Sequence, residues 1–246
     1  MKSIFMSDLH LGNPHCQADK LYNFLKSLEL PDGSYRVENL FLVGDIIDIT
    51  GFNNKIFWSN HRKVIKKFLR MADRGVKIYY IIGNHDYHLE DEILNNYEDV
   101  QSFNNIIFCR EFIYKNILLI HGDQFDGVVK VYPFLYTIGD FGYHLLIHIN
   151  HLQNKIRRFL GMQEWSFSLW VKTKVKKAIQ FINHFEDAVC RYAKERNANT
   201  VISGHIHKAE DTIINDIRYI NTGCWVEFCS YVVEHQDNTL ELKYYE

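Results

Sequence analysis

The sequence predicts an α/β protein, with an α/β or αββα core that a helical insertion interrupts. Short apolar strands alternate with helical patterns over residues 1–126, and strand patterns resume at residue 200. The segment between them has little β pattern and a different charge balance. Alternation of this kind is typical of sheets covered by helices. We therefore predict a core of residues 1–126 and 200–246, and a helical cap of residues 127–199.

The first half of the chain supplies most of the predicted elements. Residues 18–28 carry apolar side chains at helical spacing, at positions 18, 21, 24, 25 and 28, and residues 58–71 follow the same period. Between and after these helices we predict strands at residues 3–6, 40–43, 77–82, 106–108 and 117–120.

The insertion and the C-terminal part complete the pattern. The last helix of the insertion is predicted over residues 172–194, and strands follow at 200–202, 212–214, 218–220, 226–233 and 240–244. Residues 127–199 hold 11 Lys and Arg against 5 Asp and Glu, which gives this segment a charge of +6. Because the whole chain has a net charge of −2, the remainder carries −8. This asymmetry marks the insertion as a distinct segment.

Composition excludes several classes of protein. Hydrophobic residues make up 47% and charged residues 24%, which is globular usage. The five cysteines have irregular spacings and form no CxxC pair, which argues against a disulfide framework or a thiolate zinc site and fits a reducing compartment. The chain has no apolar run long enough for a membrane span or a signal peptide. We expect a soluble cytoplasmic protein, with attachment to the inner face of a membrane left open.

Five short polar clusters follow predicted strands, and they carry the chemistry. In sequence letters they are SDLH at 7–10, GDIID at 44–48, GNHD at 83–86, HGD at 121–123 and GHIH at 204–207. Ligand crevices of open α/β sheets lie at the carboxyl ends of strands. Each cluster alone could be a helix cap or a satisfied core histidine, but five in this position favour a shared site. Their carboxylates, imidazoles and carboxamide suit Mn²⁺, Fe or Zn²⁺, and are enough for two ions with one bridging carboxylate.

The motif set D-x-H, GD-x-x-D, GNH-D, H-G-D and G-H-x-H resembles that of the calcineurin-like metallophosphoesterases. The resemblance implies a four-layer αββα sandwich that holds two divalent metal ions, with Mn²⁺ favoured and Fe or Zn²⁺ as alternatives. It implies one metal site and a second that shares Asp45, with His85 as catalytic acid oriented by Asp48. The implied ligands are Asp8, His10, Asp45 and His207 for the first ion, and Asp45, Asn84, His121 and His205 for the second. Asp86 and Asp123 are candidate acceptors for the remaining imidazole nitrogens.

Over nearly the whole chain, segments such as HGDQFD, GHIHKAE and YINTGCWVE are similar to one branch of this family, the UDP-2,3-diacylglucosamine diphosphatases of the lipid A pathway. This resemblance implies cleavage of the pyrophosphate of a UDP-linked acylated sugar to UMP and a lipid phosphate. The chain departs from that branch at two positions: His85 stands where Arg is common, and Cys224 stands where Asp is common.

The cap has two interpretations. Its aromatic residues could form its own core beneath a solvated basic face. They could instead line an apolar groove for acyl chains, with basic residues that bind phosphates or an anionic membrane. The basic candidates are Arg157, Arg158, Lys172, Lys174, Lys176 and Lys177. Nucleic acid is not an expected partner, because the chain outside the cap is acidic.

Three functions follow from this sequence. The first is hydrolysis of the lipid-linked nucleotide. The alternative is a soluble phosphodiesterase or phosphatase that acts on nucleotides or other small phosphoesters, with the cap as a lid. A non-catalytic metal-binding scaffold is the third, and the His85–Asp48 pair argues against it because a scaffold needs no proton donor.

Overall fold

A computed structural model of the chain describes residues 1–48, 57–89, 101–103, 105–126 and 182–246. The six basic cap candidates, Arg157, Arg158, Lys172, Lys174, Lys176 and Lys177, lie outside these ranges. The chain divides into two compact units, Met1–Gln124 with Asp187–Glu246, and Phe125–Glu186. In the second unit, the rings of Phe125 and Phe185 meet edge to face with their centroids 6.4 Å apart. The first unit contains both sheets and all the predicted metal ligands.

The strands follow the apolar runs of the sequence. They are β1 (Ser3–Met6), β2 (Asn39–Val43), β3 (Lys77–Ile81), β4 (Gln101–Phe103), β5 (Ile106–Cys109), β6 (Glu111–Tyr114), β7 (Ile117–Ile120), β8 (Thr200–Ser203), β9 (Glu210–Ile214), β10 (Ile217–Asn221), β11 (Ser230–Glu234) and β12 (Leu240–Tyr244). Seven form one sheet in the order β12-β11-β1-β2-β3-β5-β4, and five form a second in the order β6-β7-β8-β10-β9. Strands β1, β2, β3 and β5 run parallel, as do β7, β8 and β10.

The helices described are α1 (Ala18–Ser27), α2 (Arg62–Asp73), α3 (Tyr87–Leu89) and α4 (182–195). A wide π-helical turn, Phe57–His61, leads into α2. Within the described ranges, these helices are too short or too polar to cross a membrane.

Alternation along the strands separates two apolar layers. Leu40 and Leu42 of β2 face α1 and α2, where Leu25 and Met71 cover them. Phe41, between them, faces the second sheet and packs in the same cluster as Leu119 and Ile202. The period of two residues in a strand puts successive side chains on opposite faces. Burial of one such side chain contributes roughly 1.5–3 kcal/mol, so each face stabilises a separate layer.

A helix covers the outer face of the second sheet. Leu118, Val201 and Tyr219 alternate with the residues that face the first sheet, and all three are fully buried. Helix α4 contributes the buried Val189 and Ala193, and its Tyr192 hydroxyl donates to Glu111 of β6 over 2.6 Å. The order of layers is helix, sheet, sheet and helix. This confirms the predicted four-layer αββα fold.

Several details differ from the sequence prediction, among them the helix predicted over 58–71, which begins at Arg62 after the π-helical turn. Strands β4 and β6 were not predicted; both are short edge strands, and β6, with the sequence EFIY, is only partly buried. The strand predicted from residue 226 is wrong at its start, since residues 225–228 form a turn. Two backbone contacts hold this turn: Trp225 N donates to the Asp8 carbonyl over 3.1 Å, and Gln17 N donates to the Trp225 carbonyl over 3.0 Å.

Candidate metal centre

The five polar clusters come together at the carboxyl ends of β1, β2, β3, β7 and β8, although they span two hundred residues of sequence. His207 Nε2 lies 3.1 Å from Asp8 Oδ1, and His121 Nε2 lies 3.2 Å from Asp45 Oδ2. Three overlapping triads have ligand atoms within 4.8 Å of one another and could each hold an ion: Asp8, His10 and His207; His10, Asp45 and His85; Asp45, His121 and His205.

The backbone turns sharply at these positions. Asp8, His10 and Asp45 have φ angles of +52°, +50° and +55°, and His205 and His207 have +72° and +54°. Such left-handed conformations cost of order 1–3 kcal/mol each and persist where surrounding contacts fix them. Here Asp8 N donates to the Gly44 carbonyl and His10 N to the Asp45 carbonyl, each over 2.9 Å. These bonds tie the loops after β1 and β2 together and aim their side chains at one point.

A glycine permits the closest approach. Gly44 has a φ of +84°, and a Cβ at this position would overlap the imidazole of His121. Glycine alone tolerates both the angle and the contact. The loop after β2 can therefore lie directly against the histidine that follows β7, which brings ligands from the two sheets into one site.

The orientation of His121 is fixed by its backbone contact. Its ring is fully buried, and Nδ1 donates to the Val43 carbonyl over 3.0 Å. Nε2 is therefore the atom that takes up a proton or a metal ion. Within the described part of the chain this buried nitrogen makes no hydrogen bond, and the buried Oδ1 of Asn84 makes none either. A buried imidazole nitrogen next to the Asp45 carboxylate, and a buried amide oxygen that makes no hydrogen bond, are donors of the kinds expected in a divalent metal site.

The electrostatics of the site favour a cation. Burial alone would lower the pKa of His121, but the carboxylates of Asp45 and Asp8 raise it to about 10. Burial would raise the pKa of Asp45, yet the surrounding imidazoles, His121 first, hold it below its usual range. The pKa of Asp8 is likewise lowered, against burial, by His207. The carboxylates stay ionised and attract positive charge to the atoms that would hold a metal ion.

His85 is more exposed than the buried ligand histidines His10 and His121. Its side chain is 30% exposed, whereas that of His121 is fully buried. Asp48, 3% exposed, places Oδ1 at 2.9 Å from His85 Nδ1. Because a carboxylate accepts, this contact keeps the proton on Nδ1, while Nε2 lies 3.9 Å from Asp45 Oδ2.

Neither candidate acceptor for the imidazoles has that role. The carboxylate of Asp86 accepts from the backbone N–H groups of Ile46 and Ile47 over 3.1 and 2.7 Å, and from the Tyr80 hydroxyl over 2.9 Å. It braces the loop of Asp45 instead of a histidine. Asp123 pairs with Arg110 Nη1 over 3.5 Å. The acceptor found for His121 is a main-chain carbonyl, and no sequence motif marks that contact.

The calcineurin-like phosphoesterase family model matches residues 1–209 of the chain. The chain belongs to the calcineurin-like phosphoesterase family. This phosphoesterase is 25% identical to a UDP-2,3-diacylglucosamine hydrolase from Psychromonas ingrahamii, over 96% of its own length and 95% of that protein's. It is 24% identical to the protein of the same name from Porphyromonas gingivalis, over 94% and 93% of the two chains. The phosphoesterase Yfce from E. coli aligns over 100% of both chains with 12% identity and a TM-score of 0.43.

Family membership establishes the class of reaction. The chain is a metallophosphoesterase, an enzyme that hydrolyses phosphoesters with divalent metal ions. The site fits that chemistry, since its oxygen and nitrogen ligands converge from five loops.

Proposed function

We propose that this calcineurin-like phosphoesterase cleaves the pyrophosphate of a UDP-linked acylated sugar, giving UMP and a lipid phosphate. The convergence of the five loops on one cluster of carboxylates and imidazoles carries the proposal of phosphoryl-group hydrolysis. The likeness to proteins named UDP-2,3-diacylglucosamine hydrolase, which extends over nearly the full length of both chains, supports the substrate class.

The proposed metal assignment uses seven side chains in two groups that share one carboxylate. Asp45 is the shared ligand, because its carboxylate lies near His10, His85 and His121. The first ion is held by Asp8, His10, Asp45 and His207, and the second by Asp45, Asn84, His121 and His205. Mn²⁺ is the proposed metal, from the mixed oxygen and nitrogen ligands, and Fe or Zn²⁺ is the alternative that metal analysis would reveal.

The residues divide the reaction between them. Two divalent ions, when bound, lower the pKa of a water molecule and neutralise phosphate oxygens. His85 Nε2 donates a proton to the leaving oxygen, and its side chain, 30% exposed, is open to solvent and to a substrate. Asp48 stabilises the imidazolium and holds its orientation through Nδ1. The fully buried ring of His121 has no such access to the leaving group.

The cap is proposed to supply specificity. Its charge of +6, on a chain that is otherwise acidic, supports contact with phosphates or with an anionic membrane surface. In this proposal the aromatic residues of 127–199 hold acyl chains. The six basic side chains Arg157, Arg158, Lys172, Lys174, Lys176 and Lys177 bind the phosphates or lipid headgroups, so the enzyme works at the cytoplasmic face of the membrane.

A series of UDP-diacylglucosamine substrates with increasing acyl length tests the proposal. A buried methylene contributes about 0.8 kcal/mol, so two added carbons should raise kcat/KM roughly tenfold until the groove is filled. UMP should be the nucleotide product, identified by chromatography. The matched control substrate is the p-nitrophenyl ester of UMP, which has no acyl chain.

A flat dependence on acyl length, with the ester hydrolysed as well as any lipid, would contradict the lipid substrate. That result would favour a soluble phosphodiesterase acting on nucleotides. The presence of His at position 85 favours the soluble phosphodiesterase, since the lipid-specific branch commonly has Arg at this position. If the enzyme with its full metal content hydrolysed neither the lipid substrates nor the ester, both candidate functions would be rejected.

A further inference from the structure

The amide of Asn13, in the loop after β1, is fixed from both sides. Its Oδ1 accepts a hydrogen bond from His15 N over 3.0 Å. The amide nitrogen must therefore face the other way, where Nδ2 donates to Asp48 Oδ2 over 2.8 Å. Because the amide oxygen is engaged by a backbone N–H, rotation of the amide by 180° would break both bonds.

The two oxygens of Asp48 have different neighbours. Oδ1 accepts from His85 Nδ1 over 2.9 Å. Oδ2 accepts from Asn13 and lies 3.6 Å from His10 Nδ1. That nitrogen of His10 is buried and makes no hydrogen bond to any described residue. Two imidazole nitrogens therefore face one carboxylate, and only the His85 contact has hydrogen-bond length.

A carboxylate rotates easily about its terminal bond, whose preference is broad. The hydrogen bond from Asn13 to Oδ2 is a contact that sets the plane of the Asp48 carboxylate, with Oδ1 directed at His85. Loss of that donor would remove a contact that opposes rotation of Asp48 toward His10 Nδ1. Such a rotation would break the contact between Oδ1 and His85 Nδ1.

We propose that Asn13 is a positioning residue that holds the Asp48 carboxylate on His85 and away from His10. The inference rests on the proposed role of His85 as proton donor to the leaving group. Asn13 touches neither substrate nor metal in this proposal, and acts only through the orientation of Asp48. Its loss should therefore affect the reactions that need the proton, and leave metal binding intact.

Two variants separate the hydrogen bond that Asn13 donates to Asp48 from the one that it accepts from His15 N. Asn13→Asp keeps an acceptor for His15 N–H but replaces the donor with a second carboxylate oxygen beside Asp48. Asn13→Leu removes both contacts. The substrates are the p-nitrophenyl and phenyl esters of UMP, which share a phosphoryl group and differ in how much the leaving oxygen needs a proton. Both variants should lower kcat on the phenyl ester about tenfold, and on the nitrophenyl ester less than about threefold, with KM unchanged.

A spectroscopic measurement gives a result independent of turnover. In zinc-loaded protein, nitrogen-15 spectra of the imidazoles should show a hydrogen-bonded Nδ1–H for His85 in the wild type, and loss or shift of that signal in Asn13→Asp. Metal content by elemental analysis should stay at the wild-type level in both variants.

Equal losses on the two esters would overturn the inference, because a general structural defect slows both reactions. An unchanged His85 signal with unchanged kinetics would overturn it as well. If the wild type hydrolyses neither ester nor the lipid-linked nucleotide, the proposed function fails instead, and the imidazole spectrum alone still decides whether Asn13 positions the Asp48–His85 pair.

Discussion

His121 Nε2 lies 3.2 Å from Asp45 Oδ2, and this contact joins the two sheets at the metal centre. The Asp45 carboxylate lies within 4.0 Å of three histidines. A neutral amide at this position cannot offset the charge of two divalent ions. Asp45→Asn should therefore lose one or both metal ions and nearly all phosphodiesterase activity. Elemental analysis and turnover of the nitrophenyl ester measure both effects, with the exposed Asp19→Asn as control. Near-normal metal content and turnover would show that Asp45 is not the shared ligand.

His85→Ala should keep its metal ions and lose turnover. A single acid–base group contributes typically 10²–10⁴ in rate, and a leaving group such as nitrophenolate needs the proton least. The loss should thus be larger for the phenyl ester of UMP than for the nitrophenyl ester. His235→Ala, which removes an exposed imidazole paired with Glu241, is the matched control and should match wild type on both. An equal loss of rate on the two esters would contradict the role of His85 as proton donor.

The convergence of the metal centre could be predicted because strand ends are readable from sequence. Apolar runs placed β1, β2, β3, β7 and β8, and the carboxyl ends of neighbouring strands in a layered α/β fold meet at one edge. The residue types then indicated the chemistry. His121 and Asp45 are 76 positions apart in the chain, yet each directly follows a strand or its glycine.

The partners of the site residues could not be predicted. The motif GNHD places Asp86 beside a histidine in sequence, but its carboxylate accepts from backbone N–H groups of another loop. Asn13 has no motif of its own, and its role depends on the direction of an amide that a neighbouring N–H fixes. Such contacts depend on the paths of the loops, including left-handed backbone angles at Asp8, His10 and Asp45, which the apolar period of the sequence does not indicate. The edge strand β6 was also missed, although the partly exposed edge strands β9 and β12 were predicted at 212–214 and 240–244.

Gly44→Ala should disturb the metal centre through packing. A Cβ at this position would overlap the ring of His121, and the φ of +84° is itself unfavourable for alanine. We expect weaker metal binding by at least about tenfold, a magnitude typical of displaced ligand contacts.

Gly75→Ala separates the effect of packing from the effect of the backbone angle, because Gly75 has a φ of +91° with nothing within 4 Å of its Cβ position. It should cost roughly 1–2 kcal/mol of stability and leave metal affinity, measured by competition with a chelator, unchanged. Equal metal affinity in the two variants would contradict the packing argument.

Glu234→Gln should destabilise the fold without affecting the site. This carboxylate is 1% exposed and sits on β11 opposite Ser3, at the far end of β1 from Asp8. It accepts from the Ser3 hydroxyl over 2.6 Å and from the Tyr114 hydroxyl over 3.2 Å, and pairs with Lys115. We expect a loss of about 2–3 kcal/mol in the free energy of unfolding, because hydrogen bonds to a charged group are replaced by weaker ones. Urea unfolding measures it, with the exposed Glu241→Gln as control, and kcat per folded molecule should stay at wild type. A loss no larger than that of the control would contradict the buried-pair interpretation.

The pair formed by Glu29 and Lys67 should make stability depend on pH in the acid range. Lys67 Nζ donates to Glu29 Oε2 over 2.5 Å, and this hydrogen bond, more than the neighbouring charges, lowers the pKa of Glu29 below its usual value. An acid whose pKa is lower in the folded than in the unfolded state stabilises the fold above the unfolded pKa, and this stabilisation is lost as the pH falls through the folded pKa. The free energy of unfolding of Glu29→Gln should therefore lie below that of wild type at neutral pH, and the two should converge as the pH falls through the lowered pKa of Glu29. Urea unfolding at a series of pH values measures the difference.

Glu38→Gln, which alters an exposed carboxylate, is the control for this prediction. Its free energy of unfolding should differ much less from that of wild type, and the difference should change little with pH. A difference in the free energy of unfolding between Glu29→Gln and wild type that stays constant from neutral to acid pH would contradict this prediction. It would mean that the packing of the Glu29 side chain, and not its charge, stabilises the contact with Lys67 of α2.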